Sequence, residues 1–457
     1  MEFNEVDQIS EGIAILILAI IGFSIEKLAK AEEWMSAIPT NICQAIFLYM
    51  VGAIACEKKA TTTQIADKLG LVSHDTLTKV LKSGKRVLGQ LPILLITFCL
   101  SQTMGYLIID DVLVPKRYAS RIQGVYNEFD HADNEHVKGM RIVMLLWCNG
   151  QVRIPVAWAI WHKEKKYFLG YTAKGQAKYQ HTGECLLQIN GQTLPYQTKN
   201  QIAVDLLENV LSRGLKAEYI TFDSWYASRD NLQMISENVF AIPLACYSRL
   251  KGNRKVVYEE REMTIEALNK LFPITSFNHK HGAYLKAVDV ELPDYGSIKL
   301  LLVRKDTHLE PDKTKFLFST DLQASAPQIL LRYRTRWAIE TIFRDLKQNL
   351  NLGSCQATSL DAQTSHLAMV IFAFVLMELL PDLEFKGRIF SSLGDKKKLL
   401  ACLALFTNAE KTRFWVINAS RPNSRFVPLD ESGLDKVGLR FVFAYETLLF
   451  PNCQRAA

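Results

Sequence analysis

The sequence has no C-x-x-C pair among its nine cysteines, no low-complexity tract and no internal repeat. It also lacks an uninterrupted apolar run of about 20 residues. The cysteine pattern, with its odd count, excludes a zinc ribbon and suggests no disulfide framework; a reducing cytoplasm is the compartment it implies. The ordinary composition excludes collagen and a disordered tail. Two apolar runs, 13–25 and 367–380, are too short to span a bilayer. Acids precede the first, unlike a secretory leader, so both read as buried core helices and no membrane partner is expected. Charge of one sign is scarce as well: 54 Lys and Arg face 47 Asp and Glu, a net +7. That permits a polyanionic partner without naming one.

What is present is a chain of 457 residues, 49% of them hydrophobic. That is room for roughly two to four domains, each able to bury a core. Residues 1–98 read as helical. Within them, 61–70 and 71–81 suggest helix, glycine turn, helix, with Ser73 placed to cap the second. Lys79 and Lys82, followed by Lys85 and Arg86, put positive charge along that second helix. This is either a helix-turn-helix reader of DNA or an ordinary helical hairpin with a solvated basic face.

From residue 99 the period changes. Residues 106–109 form an apolar strand ending in Asp110-Asp111, and runs 141–147 and 153–161 are joined by Asn149-Gly150, a strong hairpin signal. A polar stretch precedes an amphipathic helix over 199–213, closed by Gly214. The strand 218–222 ends on Asp223; a helix near 228–238 and an apolar run at 239–244 follow. Strands and helices alternate over 99–245 as an α/β core with acids at strand ends. Residues 246–326 read as a β-rich insertion, with a short helix at 265–271 and strands at 283–292, 296–304 and 315–319. Helical character resumes over 327–380.

The stretch 333–347 carries the chemistry. Tyr333, Arg336, Glu340 and Lys347 lie at offsets that map to roughly 0°, −60°, −20° and −40° on one helix, a narrow stripe. One Glu joined by two strand-end Asp suits two Mg²⁺ ions acting on a phosphodiester. Arg336 and Lys347 are placed to grip phosphates, and Tyr333 to hydrogen-bond a phosphate or stack on a base. The competing reading is a solvated helix with an i, i+4 Arg336–Glu340 pair. Trp225 and Trp337 flank the acids and read as core packing rather than stacking platforms. His131 and His136, in a polar loop without cysteine, read as hydrogen-bonding or DNA-contacting groups rather than metal ligands.

Y-x2-R-x3-E-x6-K, filled by Tyr333, Arg336, Glu340 and Lys347 without a gap, resembles the signature of the YREK group of bacterial insertion-sequence DDE transposases. The resemblance covers about 105–380. It implies a ribonuclease H-like catalytic core interrupted by a β-rich insertion, with catalytic and metal-binding acids at Asp223, Glu340 and one of Asp110 and Asp111. Relatives often carry Asp-Asp-Thr at the first strand, where Val112 stands here, so the register is open, with Asp110 slightly favoured. The resemblance further implies two Mg²⁺ ions, with Mn²⁺ as substitute, and double-stranded DNA as partner, both terminal inverted repeats and target. It implies a homodimer on DNA, a hairpinned DNA end and a bacterial, nucleoid-associated protein. The rivals are a metal-dependent nuclease on the same fold and an inactive copy that represses by binding repeats. Residues 381–457 form a basic C-terminal region. Nine basic residues in 385–425 oppose only Asp395 and Glu410, which equals the net charge of the whole chain. They offer either a solvated face or a second DNA contact.

Overall fold

The computed structural model describes residues 40–398, apart from 57–58, 70–71, 85–87, 90, 101, 103, 131–132, 173–174, 190, 237–243, 273–275, 294, 306–313, 380–382 and 386–387. The apolar run 13–25 and most of the basic region 385–425 therefore lie outside the described residues, as does His131. The chain divides into two compact units, Met1–Leu94 with Arg344–Ala457, and Leu95–Phe343.

Four helices come first: α1 (Thr40–Ala55), α2 (Thr62–Leu69), α3 (His74–Ser83) and α4 (Leu91–Leu100). Ser73 caps α3 as its sequence suggests, its hydroxyl accepting from the Thr76 amide. Leu77, Val80 and Leu81 bury one face of α3, and Lys79 and Lys82 are exposed on the other.

The second unit is organised by a mixed sheet. Its centre is β1 (Gly105–Pro115), with β2 (Tyr126–Asp130), β3 (Glu135–Cys148) and β4 (Arg153–Trp161) antiparallel on one side. Gly150, at φ 87°, turns β3 into β4, and the Asn149 carboxamide accepts from the amides of Gln151 and Val152. The polar stretch after β4, which shows no clear periodicity, forms a separate small sheet of β5 (Glu164–Tyr171), β6 (Ala177–Ile189) and β7 (Gln192–Pro195).

The expected amphipathic helix is α5 (Lys199–Ser212), started by a Thr198/Gln201 capping box. It packs Ile202, Ala203, Leu207 and Val210 inward, against β3 and β4. Next come β8 (Ala217–Phe222), parallel to β1, then α6 (Arg229–Ser236) and β9 (Ala245–Leu250), parallel to β8. The strand expected at 239–244 falls almost wholly outside the described residues; β9 is the strand seen after α6.

β10 (Lys255–Tyr258), β11 (Arg261–Thr264), α7 (Ile265–Leu271), β12 (Phe277–Asn278), β13 (Ala283–Leu292), β14 (Gly296–Arg304) and β15 (Lys315–Ser319) follow. Alternation over β13 to β15 locates these strands correctly. They continue the central sheet, because β15 pairs β9: the path runs β11-β10-β13-β14-β15-β9-β8-β1-β3-β2.

Two helices, α8 (Ala326–Arg334) and α9 (Trp337–Gln348), close the second unit and lead into the first. The 20-residue α10 (Leu360–Leu379) is the one described helix long and apolar enough to cross a membrane, yet 78% of its apolar window is buried within the protein. In the helical unit it packs against α1 and α3. Buried His366 links Tyr49 (2.8 Å) to the Leu352 carbonyl (3.0 Å). The end of α1 is met by side chains distant in sequence: Asn351 Nδ2 donates to Ala53 O at 3.4 Å, and Asn351 Nδ2 and Lys397 Nζ donate to Cys56 O, just past the helix, at 3.0 and 2.9 Å.

Candidate functional site

β1 and β8 run side by side in parallel, with Ile109 opposite Phe222. The residue that follows each of these is an aspartate, so register brings Asp110 of β1 level with Asp223, just past the end of β8. The first strand does not stop there. β1 continues to Pro115 against β3, with Asp110 opposite Met144 and Asp111 opposite Val143. Pairing on one side carries the strand through two residues that are poor strand formers. β8 ends at Phe222, and Asp223 starts a short 3₁₀ turn at Ser224–Tyr226 without a side-chain capping bond.

Adjacent strand residues point to opposite faces, and the two first-strand acids have correspondingly different surroundings. Asp111 is held by Lys199 Nζ (2.8 Å), Arg141 Nη1 (2.7 Å) and the Tyr226 hydroxyl (2.8 Å). Burial alone would raise its pKa, but Lys199 and Arg141 hold it below the ordinary carboxylate value. Asp110 accepts from the Asp111 amide (2.8 Å) and from Arg336 Nη1 (2.8 Å). The other terminal nitrogen of Arg336 donates to Glu340 Oε1. One guanidinium thus bridges the strand carboxylate and the helix carboxylate.

Burial pushes the Asp110 carboxyl up to about 7; Arg336 draws it down, and Asp111 and Asp223 push it up again. Burial opposes the charge on Arg336, yet Asp110, Tyr333 and Glu340 around it raise its pKa. Folded protein therefore keeps a proton on Asp110 that the unfolded chain releases near 3.8. The stability contributed by that proton is lost as pH rises through about 7. We predict that urea midpoints measured in chelator fall between about pH 5 and about pH 8 from this group, and that Asp110→Asn reduces the fall. An equal fall in the variant would assign it elsewhere.

The stretch 333–347 is not one helix. Tyr333 lies in the last turn of α8, Arg336 sits in the break, and Glu340 and Lys347 lie on α9. Bonds of the i to i+3 kind replace the α pattern: Arg336 to Tyr333, Ala338 to Thr335 and Ile339 to Arg336. The β-branched Thr335 reinforces the break by donating its hydroxyl back to Arg332 O at 2.6 Å. The expected single stripe is therefore bent, and the bend carries Arg336 toward Asp110. Arg153 of β4 donates to Thr341 (2.8 Å) and ties the start of α9 to the sheet. Lys347 is exposed in the last turn of α9.

Trp225 and Trp337 are 56% and 62% exposed, which corrects the core-packing expectation. Lys199 Nζ lies 4.6 Å from the Trp225 ring centre. Tyr226, Arg141 and Lys199, which fix Asp111, carry no sequence signal, because a buried acid's partners have no local pattern. The described His136 is exposed on β3, 5.2 Å from the Phe129 ring.

The oxygen donors of Asp110, Asp223 and Glu340 suit a hard divalent cation. Among the described residues, however, no group of three or more His, Cys, Asp or Glu side chains stands ready to hold a metal ion. Arg336 supplies the countercharge between Asp110 and Glu340. The donor chemistry fits; the cage is not assembled.

A mixed α/β sheet thus sets Asp110 level with Asp223, and an Arg–Glu pair from a helix break reaches Asp110. The chain belongs to the transposase DDE domain family, whose sequence profile matches residues 107–376. That span takes in Asp110, Asp223 and Glu340. No curated protein matches the chain.

Proposed function

We propose that the protein is a cut-and-paste transposase that cleaves the terminal inverted repeats of an insertion sequence and joins the freed 3′ ends to target DNA. The observation that carries this reading is Asp110, level with Asp223 and joined to Glu340 through Arg336, within a family of DDE transposases. The strand order β4-β3-β1-β8-β9, with β8 parallel to β1 and β9 to β8, supports a ribonuclease H-like core.

In this reading Asp110, Asp223 and Glu340 hold two Mg²⁺ ions, with Mn²⁺ able to substitute. Held by these carboxylates, the ions would supply activation of the attacking hydroxyl and stabilisation of the leaving oxygen of the phosphodiester. Asp111 is a positioning residue: by holding Arg141, Lys199 and Tyr226 it fixes the backbone from which Asp110 projects. Arg336 holds Asp110 and Glu340 together in the protein alone, and its guanidinium suits a DNA phosphate. Lys347 takes a phosphate further along α9, and Tyr333 a phosphate or an unpaired base. Exposed Trp225 and Trp337 suit stacking on a displaced base, as a hairpinned end requires. Lys79 and Lys82 on α3 contact the repeats. The protein acts in the bacterial cytoplasm at the nucleoid, as a homodimer that holds two ends.

The test is an assay with the short inverted repeats that flank the coding sequence, a plasmid target and Mg²⁺. Joined donor–target products are expected. Cleavage without joining would support the nuclease rival, and repeat binding without either reaction the repressor rival.

A further inference from the structure

The small sheet after β4 is an unassigned surface with its own chemistry. Residues 163–181 contain five lysines against one acid, and four aromatic residues among them. Tyr167, Phe168, Tyr171 and Tyr179 are exposed, Tyr171 by 73%, as are Lys166 and Lys178. A strand pair exposed on both faces gains no stability from a core, and bare aromatic groups there are unusual for a surface with no partner.

The pair is nonetheless firmly built. Its one acid in this stretch, Glu164, is turned inward, accepting from His181 (2.7 Å) and the Gly183 amide (3.3 Å), with Lys166 at 3.4 Å. Phe168 packs edge-on to both Tyr171 (5.2 Å) and Tyr179 (5.7 Å). Thr182 donates to the Lys165 carbonyl at 2.7 Å. That acid is spent on anchoring; on the outer surface the lysines outnumber Glu184, the exposed acid of β6 near Lys165.

Both roots of the ribbon meet Asp111. β4 ends at Trp161, which pairs with Arg141, and Arg141 binds Asp111. The chain returns from β7 to Lys199, which binds the other oxygen of the same carboxylate. The ribbon thus springs from the end of the sheet that bears the carboxylates.

We propose that the β5–β6 ribbon is an arm for double-stranded DNA, lying along the duplex that leads into the carboxylate site. A two-stranded ribbon fits a major groove, and the excess of lysine selects a polyanion over a second copy of this +7 chain. Lys165, Lys166 and Lys178 take phosphates, while Tyr167, Phe168 and Tyr171 pack on sugars and base edges. Phosphate contacts position the duplex without reading its sequence. The proposal rests on the DNA reading above, and it goes beyond it in assigning a second contact surface.

The experiment uses the full chain and a 40-base-pair duplex (about four helical turns), with dissociation constants measured over about 50–200 mM salt. Replacing Lys165, Lys166 and Lys178 together by Gln keeps the long stems. It should lower the salt slope by about three and weaken binding at least about tenfold at the lowest salt. A variant that binds with the unchanged affinity and slope of the parent overturns the arm alone. Failure of the parent to bind duplex DNA overturns the transposase reading with it. Loss of self-association with DNA binding intact makes the ribbon a chain–chain contact and also overturns the proposal. Should the variant not fold, acetylation footprinting of the unaltered protein decides: DNA must protect Lys165, Lys166 and Lys178, and undiminished acetylation refutes the arm.

Discussion

Asp110→Asn is expected to yield a folded protein that lacks the proposed DNA cleavage, whereas Asp111→Asn is expected to yield a protein too unstable to assay under the same conditions. The two residues are neighbours with the same side chain, and the expected outcomes differ because their partners differ. Asp111 carries the charge that compensates both Arg141 and Lys199, and all three side chains are at most 17% exposed. Removing it leaves Lys199 without its carboxylate and Arg141 with Glu128 alone (3.3 Å) in a poorly solvated place, at a cost of about 3–5 kcal/mol. Asp110 is opposed only by Arg336, which keeps Glu340 as a partner. Neutralising a carboxyl already pushed up to about 7 costs the fold little. Urea denaturation and Mg²⁺-dependent cleavage, run on both variants, separate the cases. An active Asp110→Asn beside a stable, inactive Asp111→Asn would reverse the assignment.

Glu340→Gln is the second large effect. The substitution keeps length and hydrogen-bonding shape and removes one charge. If Glu340 is a cation ligand, losing it costs several kcal/mol of transition-state stabilisation, about a thousandfold or more in cleavage. Duplex binding should change by less than about threefold, because the proposed phosphate contacts belong to other residues. Retained cleavage would remove Glu340 from the site. A parallel loss of DNA binding would make it a structural partner of Arg336 instead.

Much of this fold was legible because burial writes period into sequence. β13, β14 and β15 alternate or run apolar against a covered sheet, and Asn149-Gly150 announces its turn. The β5–β6 ribbon was not legible: solvent on both faces imposes no alternation, so its strands read as a polar stretch. The carboxylates were visible as acids beside apolar strands, but strand length was misjudged. Only β3 supports Asp110 and Asp111, and cross-strand pairing is not encoded locally. The Tyr333 to Lys347 spacing located the helical contribution. The break at Thr335 was hidden because it depends on that residue's hydroxyl returning to the Arg332 carbonyl. Trp225 and Trp337 were misjudged for a general reason, since large aromatic side chains are usually covered.

The stitching of α1 has a consequence for damaged copies of the gene. Lys397 closes the end of a helix that begins at Thr40, across 341 positions of chain. A reading frame cut short before that lysine would thus do more than shed basic residues. Its product would leave the Cys56 carbonyl short of a cationic cap, loosening the helical unit that carries Lys79 and Lys82. If the helical unit binds the repeats as proposed, such a truncated copy should compete poorly for them, and decay from the 3′ end of the gene should silence the element without creating a repressor.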